Sequence, residues 1–375
     1  MLTIDQRYIL SLLHESFICK RNEECSYEDW HAVANIINRN GILLTVYQKL
    51  ATELQKQLAG TYYAAVKQAV TQEHEGKLIL KALSNAGFDC IALKGWELRK
   101  LYPEPTMRQM ADLDILVRPY EYGRIKAVMN QLGYISETES SWKHDNFKKN
   151  DVTVEMHKRL TDDSGVIRAW EKGIWDRASR VEGNVFRMSA EDFYIYHFVH
   201  LYKDFVNGSL GLRRIVDTWL LQKQPVEMSV VKSLLESFGM WKFHERMVKL
   251  SRATMGDEPL DEGSELLLKH AFTHGIYGSD KSYKAGRIAA MGGNLKRGKL
   301  YSKLAAVFLP YARMKAQFPV LERFSILLPF CWSKRIIRLL KGNMKKNRKM
   351  LDYSDITESD YEEMKSFFAA GGIEQ

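Results

Sequence analysis

The stretch "CIALKGWELRKLYPEPTMRQMADLDILV", residues 90–117, limits most strongly how this chain can fold. It contains a short apolar run after Asp89 and a second one, "DLDILV", that opens on Asp112 and Asp114. Side chains of a strand alternate between its faces. Both aspartates therefore share one face, and Leu113, Ile115 and Val117 share the other, which belongs to a core. Two like charges this close raise each other's pKa in a partly buried place unless a cation lies between them. Hard oxygen ligands suit Mg²⁺ or Mn²⁺, and a site with few carboxylates leaves positions for substrate phosphates. Taken alone, the pattern also fits a strand that starts with two solvated aspartates.

The period of the apolar residues divides the chain. Residues 4–85 repeat at three- and four-residue steps, as in "YILSLLHESF" and "WHAVANIINRNGILLTVYQKL", with a break at Asn40-Gly41. The long amphipathic segment 61–87 ends at Gly87, a helix stop signal. From 88 the pattern becomes that of short strands: "FDCIAL", then "DLDILV", with a short helix "WELRKLY" stopped by Pro103 between them. The segment 119–133 reads as a helix with Pro119 near its start and Gly133 at its end. "NFKKN" and "VTVEMHKRL" read as an antiparallel pair turning at Asn150-Asp151. Beyond about 162 the reading is helical again. The expected class is α+β: a small mixed-sheet core flanked by N-terminal and C-terminal helical regions. Its expected divisions are 1–85, 86–161, 162–295 and 296–375.

Two neighbours strengthen the metal reading. In "VTVEMHKRL" alternation puts Thr153, Glu155 and His157 on one face. If that strand lies beside "DLDILV", Glu155 becomes a third carboxylate at the same place, a poor core but a good two-metal clamp for phosphoryl transfer. His157 either orients Glu155, contacts the bound substrate, or simply bonds at the strand edge. Lys94-Gly95 stands where a strand turns into a helix, a place where backbone N–H groups and a lysine attract phosphate. The plain alternative for Gly95 is a turn glycine. His197, His200 and Asp204 share a helix face at a spacing that could bind a metal but read rather as packing and polar contacts facing the cleft. Arg213, Arg214 and Asp217 read as an internal ion pair rather than as cleft-lining charges.

Composition adds limits. Four scattered cysteines in 375 residues exclude a disulfide framework or a cysteine zinc site. The longest apolar stretches are too short to span a bilayer, and the N-terminus reads as a helix rather than a signal peptide. The expectation is a cytoplasmic protein with no transmembrane segment. The net charge of +9 suits a polyanionic partner. In the tail 332–349, Trp332, Ile336, Ile337, Leu339 and Leu340 are expected on one helix face and Lys334, Arg335, Arg338 and Lys341 on the other. Such a basic amphipathic helix binds RNA or an anionic membrane, or simply packs on its own domain.

The strand, Lys94-Gly95, the "YP-x-P-x-x-R" segment, "DLDILV" and the later "VEMH" together resemble the nucleotidyltransferase-5 group. These are uncharacterised bacterial proteins of the DNA-polymerase-β-like nucleotidyltransferase superfamily. The resemblance covers about residues 28–260 and is most specific from 88 to 160. It implies Asp112, Asp114 and Glu155 as catalytic metal ligands and Lys94-Gly95 at the triphosphate. It makes Arg108 a phosphate or loop-organising contact, and the superfamily's usual Gly-Ser is Lys-Gly here. The implied reaction is metal-dependent transfer of a nucleotidyl group from an NTP to a hydroxyl on a sugar, small metabolite, RNA or protein. Two rivals remain: a nucleotide-sugar glycosyltransferase using the Asp-x-Asp, and a non-catalytic nucleotide- or RNA-binding module.

Overall fold

The structure, a computed structural model, describes residues 2–18, 27–118, 122–137, 143–161, 165–341 and 352–373. The chain divides into two compact units, Met1–Tyr202 with Leu210–Tyr277, and Lys203–Ser209 with Gly278–Gln375.

The first unit is built on a seven-stranded mixed sheet. Its strands are β1 (Cys90–Ala92), β2 (Leu113–Val117), β3 (Ile135–Ser136), β4 (His144–Lys149), β5 (Val152–His157), β6 (Ser179–Glu182) and β7 (Val185–Arg187). They lie in the order β3-β4-β5-β2-β1-β7-β6. The β2–β5 and β1–β7 pairs are parallel and the others antiparallel. Asn150, at φ +50°, makes the tight turn between β4 and β5.

One face of the sheet buries Leu113, Ile115, Val117, Val152, Val154 and Met156 together with Ile79 and Leu83 of the helix Thr52–Asn85 and Ile125 and Met129 of the helix Tyr122–Gln131. Each such side chain contributes roughly 1.5–3 kcal/mol by leaving water. A slip of one residue in β2 would move all three of its apolar groups to the wrong face, so the register is firmly held. That fixes Asp112 and Asp114 on the opposite side from this core. Pro119 lies outside the described residues, whereas Gly133 does end its helix, at φ +82°.

The helical reading beyond 162 needs one correction. Ser179–Glu182 and Val185–Arg187 form a hairpin, which extends the sheet through β7 onto β1. Every residue of β6 is exposed and β7 is short, so neither shows the half-buried alternation by which strands are recognised. The ion pair expected within "RRIVD" also has a different partner. Asp217, buried on the helix Leu212–Leu221, takes Arg108 in a bidentate pair, Nε to Oδ1 and Nη2 to Oδ2, both 2.7 Å, and accepts the Tyr102 hydroxyl at 2.9 Å.

In the second unit, helices include Asp280–Ala289, Leu295–Val307, Tyr311–Gln317, Leu328–Lys341 and Glu358–Ala370. Phe205 stacks on Phe367 with ring centroids 4.0 Å apart. The helix Leu328–Lys341 departs from the expected division of faces. Arg335 is half-buried, while Ile337 is exposed on the side of Lys334 and Arg338. The side chains of Leu339 and Leu340 lie outside the described residues. Among the described residues no helix is long and apolar enough to cross a membrane.

Removing one partner of a buried ion pair leaves an uncompensated charge, so Asp217→Ala should cost about 3–5 kcal/mol in urea unfolding, and Arg108→Met/Asp217→Leu should recover most of it. A loss below about 1 kcal/mol would mean the pair behaves as an exposed one.

Candidate active site

The turn that leaves β1 is strained in a defined way. Lys94 has φ +39° and ψ −114°, and the Trp96 N–H bonds back to the Leu93 carbonyl at 3.1 Å. These are the marks of a type II′ turn, whose first central position normally belongs to glycine. A lysine there costs about 1–3 kcal/mol, a cost that the surrounding packing must offset. Two close approaches hold the turn. Trp96 lies on Gly76 of the long helix, where an added Cβ would come 2.3 Å from the indole ring. A Cβ on Gly95 would stand 2.8 Å from both Arg108 Nη1 and Met110 Sδ. Gly95 is therefore required for the approach of these two side chains.

The segment carrying Arg108 is tied down as well. Thr45 donates its hydroxyl to the Met107 carbonyl at 2.8 Å, and Gln109 accepts the Leu43 N–H at 3.0 Å and, on its carbonyl, Arg213 Nη1 at 2.6 Å. Arg108 thus reaches inward to Asp217 with two of its nitrogens and lies against Gly95 with the third. Its observed contacts are those of a loop organiser.

Asp114 is the centre of the site. It is almost fully buried, yet it takes Lys94 Nζ at 2.5 Å and His157 Nε2 at 2.7 Å on the same oxygen. Burial pushes its carboxyl up, but Lys94 and His157 outweigh that and hold it well below the usual carboxylate range. Burial pulls the Lys94 ammonium down, but Asp114, together with Tyr196 and Asp112, outweighs it and raises its pKa. Parallel pairing of β2 with β5 sets Asp114 directly opposite Glu155. The Glu155 carboxyl lies 3.2 Å from His157 Nε2, a contact that lowers its pKa. Burial would neutralise His157, but its bonds to Asp114 and Glu155 raise its pKa instead.

Asp112 follows the opposite course. Burial and the neighbouring Asp114 charge, with a further push from Glu155, drive its carboxyl up to about 6 against the pull of Lys94. Its negative charge is the one this arrangement compensates least. Sequence reasoning missed His144, which faces His157 across the β4–β5 ladder and stands 3.8 Å from Glu155. The ligand atoms of His144, Glu155 and His157 lie within 4.8 Å of one another. The signal was present: His144 is two residues before Asn146, the residue opposite Glu155, so alternation alone puts it on this face. His197, by contrast, has its Nε2 2.9 Å from the Thr218 hydroxyl.

The site thus brings Lys94, Asp112, Asp114, Glu155, His157 and His144 together across four adjacent strands, β4, β5, β2 and β1. A family described as uncharacterised nucleotidyltransferase matches residues 26–256. The chain belongs to that family. No curated protein and no solved structure matches it. The site described above lies inside the matched range, as does the helix that carries Asp217.

The strain at Lys94 is separable from its charge. Lys94→Gly and Lys94→Ala lose the same ammonium, but only glycine accepts this backbone freely. The glycine variant should be the more stable of the two by about 1 kcal/mol in urea unfolding. An alanine variant of equal or greater stability would show that the turn is not strained.

Proposed function

We propose that this protein transfers a nucleotidyl group from a nucleoside triphosphate to a hydroxyl acceptor. The observation that carries the reading is the register of β2 against β5, which sets Asp114 opposite Glu155 with Asp112 just before the strand. A carboxylate cluster on one side of a sheet, with Asp112 raised to about 6 by burial and by the Asp114 charge, is what a divalent cation relieves. The donor set fits Mg²⁺ or Mn²⁺, held by Asp112, Asp114 and Glu155, with His157 beside them. When bound, the metal supplies charge neutralisation on the triphosphate.

The side chains divide the remaining work. Lys94 leaves Asp114 and turns its ammonium to the triphosphate, with Gly95 allowing the turn to stay close. Arg108 fixes that turn from behind through Asp217. His157 orients Glu155, and Glu155, ionised at neutral pH, accepts the proton of the acceptor hydroxyl. The hydroxyl oxygen forms a bond to the α-phosphorus, the bond from that phosphorus to the bridging oxygen breaks, and pyrophosphate leaves with its electron pair. Catalysis is then mostly positioning and electrostatic stabilisation. The acceptor is a hydroxyl on a sugar, a small metabolite, RNA or a protein. We place the protein in the cytoplasm, where the triphosphates are.

The test is incubation of the full chain with each α-labelled NTP, Mg²⁺ and a lysate fractionated into protein, RNA and small molecules. One fraction should become labelled, and Asp112→Asn/Asp114→Asn should abolish the label. Glu155→Gln should retain NTP binding and lose on the order of 10²-fold in turnover. Transfer of a sugar from a sugar nucleotide, with none from an NTP, would replace this reading with the glycosyltransferase one. Metal-independent nucleotide binding without transfer would favour the binding module.

A further inference from the structure

The second unit carries a surface outside the family match of residues 26–256. One side of the helix Leu328–Lys341 is committed to a small core. Cys331 is buried with Met314, Phe318 and Leu321, and Trp332, Leu327 and Leu328 pack against them. Trp332 donates its indole N–H to the Leu309 carbonyl at 3.1 Å, and Arg335 donates to the carbonyls of Val307 and Ala306.

The other side leaves large apolar groups in water. Phe330 is 57% exposed, Ile337 49% and Ile326, one turn earlier, 86%. Phe330, Lys334 and Ile337 recur at steps of four and three residues, which makes them one stripe of the helix. Lys334 Nζ stands 4.8 Å from the Phe330 ring, and Arg338, though exposed, holds its guanidinium 4.9 Å over the ring of Phe318 at the edge of that core. The charge around this stripe is unusual. Residues 311–350 contain eleven Lys and Arg and a single acidic residue, Glu322, so this segment's charge of +10 exceeds the +9 of the whole chain. Four of those basic residues, Lys345, Lys346, Arg348 and Lys349, lie outside the described residues.

Apolar and basic groups interleaved in this way suit one kind of partner. RNA would pair the cations and could stack on Phe330, but it would leave Ile326 and Ile337 in water. A bilayer interface accepts both kinds of group. Isoleucine and phenylalanine enter the headgroup–acyl boundary, while lysine and arginine extend to anionic headgroups. We propose that the face formed by Ile326, Phe330, Ile337 and Lys334, with Arg338 at its rim, docks this protein on an anionic lipid bilayer. The helix then lies in the interface plane.

Sedimentation of the full chain with vesicles tests this. One set is phosphatidylcholine alone, the other carries about one-third phosphatidylserine. The protein should pellet with the anionic vesicles and stay in solution with the neutral ones, and added salt should weaken the binding. Ile326→Ser/Phe330→Ser should reduce vesicle binding by about tenfold or more with an unchanged unfolding midpoint, because both side chains are already exposed. Asp112→Asn should bind vesicles as the wild type does, so failure of the nucleotidyl-transfer reading leaves this result untouched. Equal pelleting with both vesicle sets, or none with either, overturns the proposal. So does full vesicle binding by the double serine variant. Concentration-dependent self-association that this variant abolishes, or tighter binding to a single-stranded RNA than to anionic vesicles, would assign the face to a second copy or to RNA instead.

Discussion

A single buried carboxylate organises the first unit. Asp114 lies in the middle of the sheet with almost no access to water, and a charge there is tolerated only because Lys94 and His157 both bond to it. Each of those partners places a demand elsewhere. Lys94 reaches Asp114 from a backbone conformation that a lysine rarely adopts, so the turn must be braced by Trp96 on Gly76 and by Arg108 and Met110 on Gly95. Arg108 in turn stays buried because Asp217 supplies two acceptors. The chain of constraints runs from the strand to the turn, to the loop, to a helix more than a hundred residues away.

The same arrangement explains why two neighbouring aspartates differ so widely. Asp114 is held ionised by two cationic partners, whereas burial first and then the Asp114 charge push Asp112 up to about 6 against the pull of Lys94. Groups that titrate far apart because of their surroundings are a mark of functional sites. The Lys-Gly order at 94–95 has a similar logic. The turn favours glycine at its first position, and this chain puts a charged residue there instead, which places the ammonium on Asp114 at the cost of backbone strain.

Much of this was legible in the sequence. Alternation of faces put Asp112, Asp114, Glu155 and His157 together, and the Asn150-Asp151 turn set the β4–β5 hairpin, because period-2 patterns carry orientation directly. The strands β6 and β7 were illegible because an exposed edge hairpin buries too little to leave a pattern. The Arg108–Asp217 pair was illegible for a different reason: nothing local tells a buried arginine which acidic residue, 109 positions away, will meet it. Ile337 was assigned to the wrong side of its helix because an apolar residue was assumed to face inward, and its outward position is itself informative.

The most direct test of the central claim is thermal unfolding of wild type and Asp112→Asn, with and without Mg²⁺ or Mn²⁺, at about pH 7.5. The folded-state pKa of Asp112 is raised above its ordinary value of 3.8 to about 6. Its ionisation therefore costs stability once the pH has passed through that window, and the cost is fully present above it. Without metal the asparagine variant should be the more stable protein. With metal well above its Kd the wild type should gain on the order of 1–3 kcal/mol and the variant much less. A metal-free variant less stable than wild type, together with equal metal-induced shifts in both proteins, would contradict the account.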